Sequence, residues 1–416
     1  MLRHVVVNHR SIDRVLGETT IADADRALVQ EFVYGSVRHY FSLSAEIERR
    51  LLTPLKPRDA ILQCLLLIGL YQLRHLRIPP YAAVSETVNA TVQIGRPWAR
   101  SLVNQVLRQA ASDGAPRTVV DDDRLDHPDW LVERVKIDYP SAWRDILDAS
   151  MTRAPMSLRV NLAATSRDRY VEELAAVGVV AQRADIDEGV VLLEPIAAAR
   201  LPGFAEGRVS VQDLSAMWPV RLLDAASDER VLDACAAPGG KSVHLIERAP
   251  GIALTSLDVD AARCEMLRAE FRRCRKDPTI VVRGDATELD WWDGQPYNAI
   301  LLDAPCSGTG TLRRHPDIKV LKRAADIPQY RRLQTELLSN LWHVLAPGGR
   351  LLYCTCSILS EENDVVVADF VDRTRDASVR ALSVPNARET TCGRQLLPKI
   401  GAGDGFYFAL LTKRPA

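Results

Sequence analysis

Residues 231–242 have the sequence VLDACAAPGGKS, and their order predicts how the C-terminal half of the chain folds. An apolar run, a turn of small residues and glycines, and a helical pattern together indicate a strand–turn–helix unit. Glycines in such a turn let backbone N–H groups approach a ligand at the helix N-terminus, where an anionic group is favoured. The segment matches neither the dinucleotide-binding G-x-G-x-x-G pattern nor the P-loop. A glycine-rich turn that binds no ligand is the simpler alternative.

The rest of the C-terminal half repeats this alternation of strand and helix. A helical pattern around residues 329–345 accompanies four further strand patterns: IALTSLDVD (252–260), TIVVRGDAT (279–287), YNAILLDAP (297–305) and GGRLLYCTCS (348–357). Apolar strands separated by helices predict a parallel, doubly wound sheet, so we expect a Rossmann-like α/β fold. On such sheets, ligands bind at the carboxyl ends of the strands, near the topological switch point.

An aspartate follows or ends three of these predicted strands: Asp258, Asp285 and Asp303. An acid at the end of the second strand, about 20 residues beyond the glycine-rich turn, suits hydrogen bonds to a ribose diol. Asp285 is a candidate acceptor for an adenine amino group. With the loop, these acids indicate an adenosine-containing cofactor, although a nicotinamide cofactor stays open on this pattern alone.

The chain divides into three predicted domains. Residues 1–130 are helical in pattern, including one continuous pattern over 26–52, and end in a polar, turn-rich stretch at 111–129 that we interpret as a linker. Residues 131–224 mix helical patterns with two strand patterns, SLRVNLA and VVLLEP, and predict a small α/β module. Residues 225–416 contain the predicted Rossmann-like sheet.

Composition and charge exclude several classes of protein. The chain has 416 residues, of which 47% are hydrophobic, and this is too apolar for a disordered chain. The longest apolar stretch, 61–73, is too short to span a bilayer, and the N-terminus lacks a signal-peptide pattern. We expect a soluble, cytoplasmic protein of two to four domains.

The net charge of −1 conceals two basic segments, residues 51–110 and 312–332. Such segments suit contacts with nucleic-acid phosphates, and a solvated helix face is the alternative. Each segment has two acidic residues, and the basic residues are Lys56, Arg58, Arg74, Arg77, Arg96, Arg100 and Arg108, then Arg313, Arg314, Lys319, Lys322, Arg323, Arg331 and Arg332.

The positions of the cysteines indicate which of them belong to the predicted ligand pocket. The chain has eight cysteines, Cys64, Cys235, Cys264, Cys274, Cys306, Cys354, Cys356 and Cys392, and without a signal peptide they do not indicate a disulfide framework. Cys306 and Cys356 follow two different strands, so both thiols are predicted to face one pocket. A zinc site is an alternative, with the ligands Cys235, Cys306, Cys354 and Cys356. The absence of a C-x₂₋₄-C pair disfavours this alternative.

Two thiols beside a methyl-donor pocket suit the methylation of cytosine at C5. This carbon becomes nucleophilic only after a thiolate adds to C6, and a base must then remove the C5 proton before the thiolate leaves. The sequence of steps requires a thiol of low pKa, an acid at the N3/amino edge of the ring and a second group for elimination. Cys356, Asp303 and Cys306 are residues of these types.

Four motifs, DACAAPGGK, DAPCSGTG, YCTCSILSEEN and QLLPKIGAGDGFYFALL, resemble those of the RNA cytosine-5 methyltransferases. The helical N-terminus, with EFVYGSVRHY, IGLYQL, PYAAVSETVNATV and SLVNQVLRQ, is similar to the NusB-type RNA-binding fold. In this order they resemble the bacterial ribosomal RNA small-subunit methyltransferase B family. The resemblance covers nearly the whole chain, although LRVN and VQDLSA in the middle module are weaker motifs.

The resemblance implies a role for each matched residue. Cys356 in T-C-S matches the nucleophile, Cys306 in P-C matches the residue that assists product release, and Asp303 is implied at both the cofactor and the target base. The implied cofactor site contains Cys235, Ala236, Ala237, Pro238, Gly239, Gly240, Lys241, Asp258, Asp285 and Asp303. Cys354 matches no family role, and we expect it to point to the opposite face of its strand from Cys356.

The predicted function is S-adenosyl-L-methionine-dependent methylation of a cytosine in small-subunit (16S) ribosomal RNA, by a monomer without metal or membrane. The target base must be unstacked, and the RRHPDIK segment (313–319) is predicted to grip the RNA backbone beside it. Transfer RNA or another RNA is an alternative substrate, and a catalytically silent RNA-binding assembly factor is an alternative function. The T-C-S cysteine and the helical N-terminal domain disfavour a DNA methyltransferase.

Overall fold

The computed structural model describes residues 1–113, 126–276 and 280–415. These residues form two compact units. Unit 1 contains Met1–Thr152 and Leu312–Ala324, and unit 2 contains Arg153–Thr311 and Ala325–Ala416. Most of the predicted linker lies outside the described residues. The chain therefore leaves unit 2 after Thr311, contributes thirteen residues to unit 1, and returns.

Unit 1 is helical throughout its described residues. With helices numbered in chain order, it contains α1 (Leu2–Val6), α2 (Ile12–Glu18), α3 (Asp23–Arg38), α4 (Tyr40–Arg50), α5 (Ala60–His75), α6 (Pro80–Gln93), α7 (Arg100–Ser112), α8 (Asp129–Asp138), α9 (Trp143–Met151) and α14 (Ile318–Leu321). The predicted helix over 26–52 is interrupted at His39, whose φ of −105° and ψ of 26° separate α3 from α4.

Helix α5 forms the centre of unit 1. Its leucines Leu62, Leu66, Leu67 and Leu70 are fully buried, which explains why its sequence is apolar on nearly every face. Helices α3 and α5 approach closely at Gly35, where an added Cβ would lie 2.0 Å from Cζ of Tyr71. Only glycine permits this contact, because any side chain would overlap the tyrosine ring.

Unit 2 begins with a small antiparallel sheet. It is built from β1 (Met156–Val160), α10 (Arg167–Ala176), β2 (Ala181–Arg183), β3 (Gly189–Leu192) and β4 (Val209–Val211), in the strand order β2-β3-β1-β4. Leu158 pairs with Val190 and with Val211, so β1 is the central strand on which Tyr170 of α10 packs. The sequence predicted β1 and β3. It did not predict β2 and β4, because three-residue strands carry too little alternation to be recognised.

The larger sheet of unit 2 has nine strands. Its elements are α11 (Trp218–Leu223), β5 (Arg230–Ala234), α12 (Gly240–Arg248), β6 (Ala253–Asp258), α13 (Ala261–Arg273), β7 (Ile280–Arg283), β8 (Tyr297–Asp303), α15 (Ile327–Val344), β9 (Leu345–Thr355), α16 (Asp364–Arg373), β10 (Ala377–Arg380), β11 (Arg388–Glu389), β12 (Arg394–Leu396) and β13 (Phe406–Lys413). The strand order is β11-β12-β13-β9-β8-β5-β6-β7, and β10 pairs with β13.

The sheet is mixed, not wholly parallel. Strands β5 to β9 pair in parallel, but β13 pairs antiparallel with both β9 and β12. The prediction of a purely parallel sheet is therefore wrong at this edge. The chain returns from β12 through residues 397–405 without a crossover helix, and a parallel return would need one.

Strand β8 shows why the parallel strands are apolar on both faces. Ala299 and Leu301 belong to the core on one side of the sheet, and Ile300 and Leu302 belong to the core on the other. All four side chains are fully buried, as expected for a strand covered by helices on both faces. No helix among the described residues is long and apolar enough to cross a membrane.

Candidate active site

The parallel strands bring the predicted site residues to one edge of the sheet. Cys235 follows β5, Asp258 ends β6, and Asp285 follows β7 on one side of β5. Asp303 ends β8, and Cys356 follows β9 on the other side. The order of strands reverses between β5 and β8, so the site lies at the topological switch point.

The turn after β5 is tied to the end of β6. The backbone N–H of Ala236 donates to the Leu257 carbonyl at 3.0 Å, and that of Ala237 donates to Oδ2 of Asp258 at 3.1 Å. Cys235 has a φ of +60° and Gly239 a φ of +111°, so the turn runs through two left-handed residues before α12 begins. An added Cβ on Gly239 would also lie 2.7 Å from Cδ1 of Leu267, and this explains the glycine.

The acids beyond this turn differ in exposure. Asp258 is buried, and its Oδ1 accepts the N–H of Asp260 at 3.1 Å while Oδ2 accepts the N–H of Ala237. Asp285 is exposed, and its Oδ1 accepts from the backbone N–H and the hydroxyl of Thr287. Each carboxylate retains acceptor capacity, since an oxygen has two lone pairs.

Asp303 lies between two donors. Nζ of Lys241 donates to Oδ2 at 2.6 Å, and Sγ of Cys354 donates to Oδ1 at 3.5 Å. The expectation that Cys354 points away from Cys356 is wrong, because both side chains pack in the same core on one side of the sheet. Burial and the Asp303 carboxylate raise the pKa of the Cys354 thiol well above its ordinary value, so this thiol stays protonated.

The two cysteines of the P-C and T-C-S motifs meet at this edge. Sγ of Cys306 and Sγ of Cys356 are 3.5 Å apart, although the residues are 50 positions apart in the chain. The contact with Cys356, followed by burial, raises the pKa of Cys306 well above its ordinary value. The Cys306 thiol is therefore harder to ionise than an isolated thiol.

Two buried acids beneath the site were not singled out from the sequence. Glu362 accepts hydrogen bonds from Ser307 and Ser357, the residues that directly follow Cys306 and Cys356. Asp233, on β5, accepts from the Ser242 hydroxyl, and burial raises its pKa to about 7. Both belong to recognised motifs, but no pattern distinguishes Glu362 from its neighbour Glu361. Among the described residues, no group of His, Cys, Asp or Glu side chains is arranged to hold a metal ion.

The basic segments divide between surface and interior. In unit 1, Lys56, Arg58 and Arg96 line a cleft of about 700 Å³ together with Trp98, which is 62% exposed. Arg74, by contrast, is largely buried and paired with Glu46.

The prediction that RRHPDIK grips a nucleic acid is wrong for two of its residues. Arg313 is 1% and Lys319 is 2% exposed, both within unit 1. Nζ of Lys319 donates to the carbonyls of Arg38 at 2.6 Å and Asp126 at 2.7 Å, and Nη2 of Arg38 donates to the Arg313 carbonyl at 2.8 Å. Side chains enclosed in this way cannot reach a phosphate.

Comparisons with known proteins identify the family. Family models described as 16S rRNA methyltransferase RsmB/F, as a RsmF/B-like ferredoxin-like domain and as the NusB family match residues 220–412, 127–199 and 1–112. The chain is 42% identical over 423 residues to ribosomal RNA small subunit methyltransferase B of Pasteurella multocida, which covers 99% of this chain and 94% of the relative. The chain belongs to the ribosomal RNA small subunit methyltransferase B family.

A second methyltransferase B, from Pseudomonas putida, is 43% identical and covers 94% of this chain and 92% of that protein. The crystal structure of PH0851 superposes with a TM-score of 0.84, covering 99% of this chain and 97% of that one, and at 22% identity this likeness concerns the fold alone.

The predicted methyltransferase B family and the predicted fold class are confirmed. The chain is a methyltransferase with a NusB-type helical domain, a ferredoxin-like module and an α/β methyltransferase domain. The exact boundaries at residues 130 and 224 stay a prediction.

Proposed function

We propose that this protein methylates C5 of a specific cytosine in 16S ribosomal RNA, using S-adenosyl-L-methionine and a covalent bond between Cys356 and C6 of the base. The observation that carries the proposal is the 3.5 Å distance between the Cys306 and Cys356 thiols, in a chain of the methyltransferase B family. One thiol would serve addition only, whereas two provide one group to add and another to assist elimination.

The residues at the strand ends fit S-adenosyl-L-methionine. The first turn of α12 offers backbone N–H groups without helical acceptors, which favour a carboxylate. An added Cβ on Gly240 would meet nothing nearer than Gln212 at 4.0 Å, so the space beside this turn is open. We assign the methionine carboxylate to the Cys235–Lys241 loop, the ribose diol to Asp258 and the adenine amino group to Asp285. When bound, the cofactor supplies an electrophilic methyl group on its sulfonium.

Cys356 acts as the nucleophile in this scheme. The raised pKa of Cys306 makes that thiol the poorer nucleophile of the pair, so we assign the attack on the base to the T-C-S cysteine, Cys356. Its sulfur bonds to C6 of the cytosine, the electron pair of the C5–C6 double bond shifts toward N3, and C5 becomes nucleophilic. Asp303 accepts from the exocyclic amino group, and the Lys241 ammonium at 2.6 Å balances the charge of that carboxylate.

Cys306 completes the reaction. The pKa of its thiol is raised first by the hydrogen bond with Cys356 and then by burial. Once the Cys356 sulfur is bonded to C6, that thiolate no longer opposes ionisation, and Cys306 can release its proton to solvent. The Cys306 thiolate then takes the C5 proton, the C6–S bond breaks, and Cys356 leaves as a thiolate. The products are 5-methylcytosine, S-adenosylhomocysteine and one proton.

The unit 1 cleft suits contact with the RNA substrate. Exposed Lys56 and Arg58 can neutralise phosphates, and the indole of Trp98 offers a face on which a base can stack. A target base for C6 attack must be out of its stack, and single-stranded loops present such bases. We therefore place small-subunit ribosomal RNA as the partner, and the cytoplasm as the compartment in which this enzyme acts.

The test is methyl transfer from labelled S-adenosyl-L-methionine to unmodified 16S ribosomal RNA, with total transfer RNA in parallel and bisulfite mapping of the product. We expect one methylated cytosine in the ribosomal RNA. Label in transfer RNA alone would overturn the substrate and retain the chemistry. No label in either RNA, with or without ribosomal proteins, would contradict the proposal and favour a silent assembly factor.

A further inference from the structure

The two cysteine loops share one buried acid, Glu362. Glu362 lies seven residues beyond Thr355, the end of β9, and its side chain is fully buried. We propose that Glu362 is a positioning residue that clamps the Cys306 and Cys356 loops together and so fixes the distance between the two thiols. This inference rests on the proposed function, because it gives those thiols their roles.

The contacts to the first loop are made through Ser307. The backbone N–H of Ser307 donates to Oε1 of Glu362 at 2.7 Å, and the Ser307 hydroxyl donates to Oε2 at 2.6 Å. Ser307 is the residue after Cys306, so its two hydrogen bonds to one carboxylate fix the backbone that bears this thiol. Charge-assisted bonds of this kind are about twice as strong as neutral ones.

The contact to the second loop is made through Ser357. Its hydroxyl donates to the same Oε2 of Glu362 at 2.6 Å, and Ser357 directly follows Cys356. The Tyr353 hydroxyl donates to the Glu362 carbonyl at 2.6 Å, which ties the backbone of the acid to β9. One carboxylate oxygen therefore bridges the residues adjacent to both thiols.

Every hydrogen bond to the Glu362 carboxylate is donated by a neighbour, and three of them come from Ser307 and Ser357. Gln334 adds a fourth donor, Nε2 to Oε1 at 3.4 Å. A glutamine at 362 would place an amide NH₂ against at least one of these donors, so the serine hydroxyls would have to turn and accept in place of donating. Burial raises the pKa of Glu362, and its charge is a further cause of the raised pKa of Cys306, after Cys356 and burial. The Glu362 side chain therefore affects both the distance between the two thiols and the pKa of Cys306.

The alternative is that Glu362 only stabilises the fold, and the experiment must separate the two roles. We would compare Glu362→Gln with Glu361→Gln, the same change one residue away. The measurements are melting temperature, kcat and KM for methyl transfer, and the pH dependence of iodoacetamide labelling of the Cys306 and Cys356 peptides, quantified by mass spectrometry. Labelling needs no RNA, so it reports on Glu362 even if the proposed substrate or reaction is wrong.

For Glu362→Gln we expect kcat to fall about 10- to 100-fold with KM nearly unchanged, and Cys306 labelling to shift by about one pH unit to lower pH. Glu361→Gln should leave the kinetic and labelling profiles unchanged. If Glu362→Gln does not fold, Ser307→Ala and Ser357→Ala each remove one clamp bond and should lower kcat by smaller factors. A folded Glu362→Gln, or a folded pair of serine variants, with wild-type kcat and labelling would overturn the proposal.

Discussion

Residues 303–311 and 312–324 are consecutive in the chain, but the sequence predicts the structural surroundings of the first stretch much better than those of the second. Asp303 and Cys306 end a parallel strand, and the structure finds them beside Lys241 and Cys356. Arg313 and Lys319 follow directly, but they are buried in unit 1. Strand topology determines where the residues at a strand end lie, whereas the exposure of a loop residue depends on a tertiary partner that no local pattern reveals.

The largest expected effect is a loss of methyl transfer, and it tests the site at the strand ends to which residues 303–311 belong. Cys356→Ala should lower methyl transfer more than about a thousandfold, because the variant lacks the thiol that adds to C6 and activates C5. Cys306→Ala is the matched variant, and it should accumulate a covalent enzyme–RNA complex because elimination loses its base. Single-turnover transfer and denaturing gels measure both. Substantial methyl transfer by Cys356→Ala would show that the strand-end geometry does not identify the nucleophile.

The second prediction tests the burial of Lys319. Burial lowers the pKa of this ammonium from its ordinary 10.5 to about 7, so between these values the unfolded chain binds the proton and the folded chain does not. Stability of the wild type relative to Lys319→Met should therefore rise with pH from 7 to 10, by up to about 1.4 kcal/mol per unit. Urea titrations at several pH values measure this difference. A constant difference would mean that Lys319 is solvated and free to contact RNA.

The third prediction concerns Asp233 in unit 2, where stability should change with pH in the opposite direction. Burial raises its pKa from an ordinary 3.8 to about 7, so between these values the folded chain retains a proton that the unfolded chain has released. Stability of the wild type relative to Asp233→Asn should fall as pH rises from 4 to 7, by up to about 1.4 kcal/mol per unit. The same titrations apply, and a rise over this range would contradict the burial of this carboxylate.

The smallest expected effect is on the salt dependence of RNA binding, and it tests the exposed basic residues of the unit 1 cleft. Replacing Lys56 and Arg58 together by glutamine should reduce the slope of log affinity for single-stranded RNA against log salt by about 0.7 for each phosphate that these side chains neutralise. Arg100→Gln with Arg108→Gln is the matched control, because these residues are exposed in the same unit but do not line the cleft. Equal reductions in both double variants would mean that the cleft does not bind the RNA.

Much of the fold could be predicted because its signals are local. Apolar strands such as YNAILLD are buried on both faces, and α5 is apolar because it is the centre of unit 1. The antiparallel β13 could not be predicted so directly, since an apolar run does not specify the direction of its partner strand. Likewise, Cys356 and Cys306 could be proposed from their positions at strand ends.

Glu362 shows the limit of this approach at the site. Its role depends on two serines 50 residues apart, and that proximity exists only after β8 and β9 have paired. Cys354 could have been placed on the face of Cys356 from its two-residue spacing alone. Arg313 and Lys319 could not have been recognised as buried, because cations are usually exposed unless a specific partner encloses them.

The central claim is tested most directly by a covalent trap. Small-subunit ribosomal RNA transcribed with 5-fluorocytidine is incubated with the enzyme and S-adenosyl-L-methionine, and the denatured complex is digested and mapped by mass spectrometry. A base cannot remove fluorine from C5 as it removes the proton, so elimination stops. The account therefore predicts a stable adduct on Cys356, and none with the corresponding DNA. An adduct on Cys306, or efficient methyl transfer to ordinary RNA without any trapped complex, would contradict it.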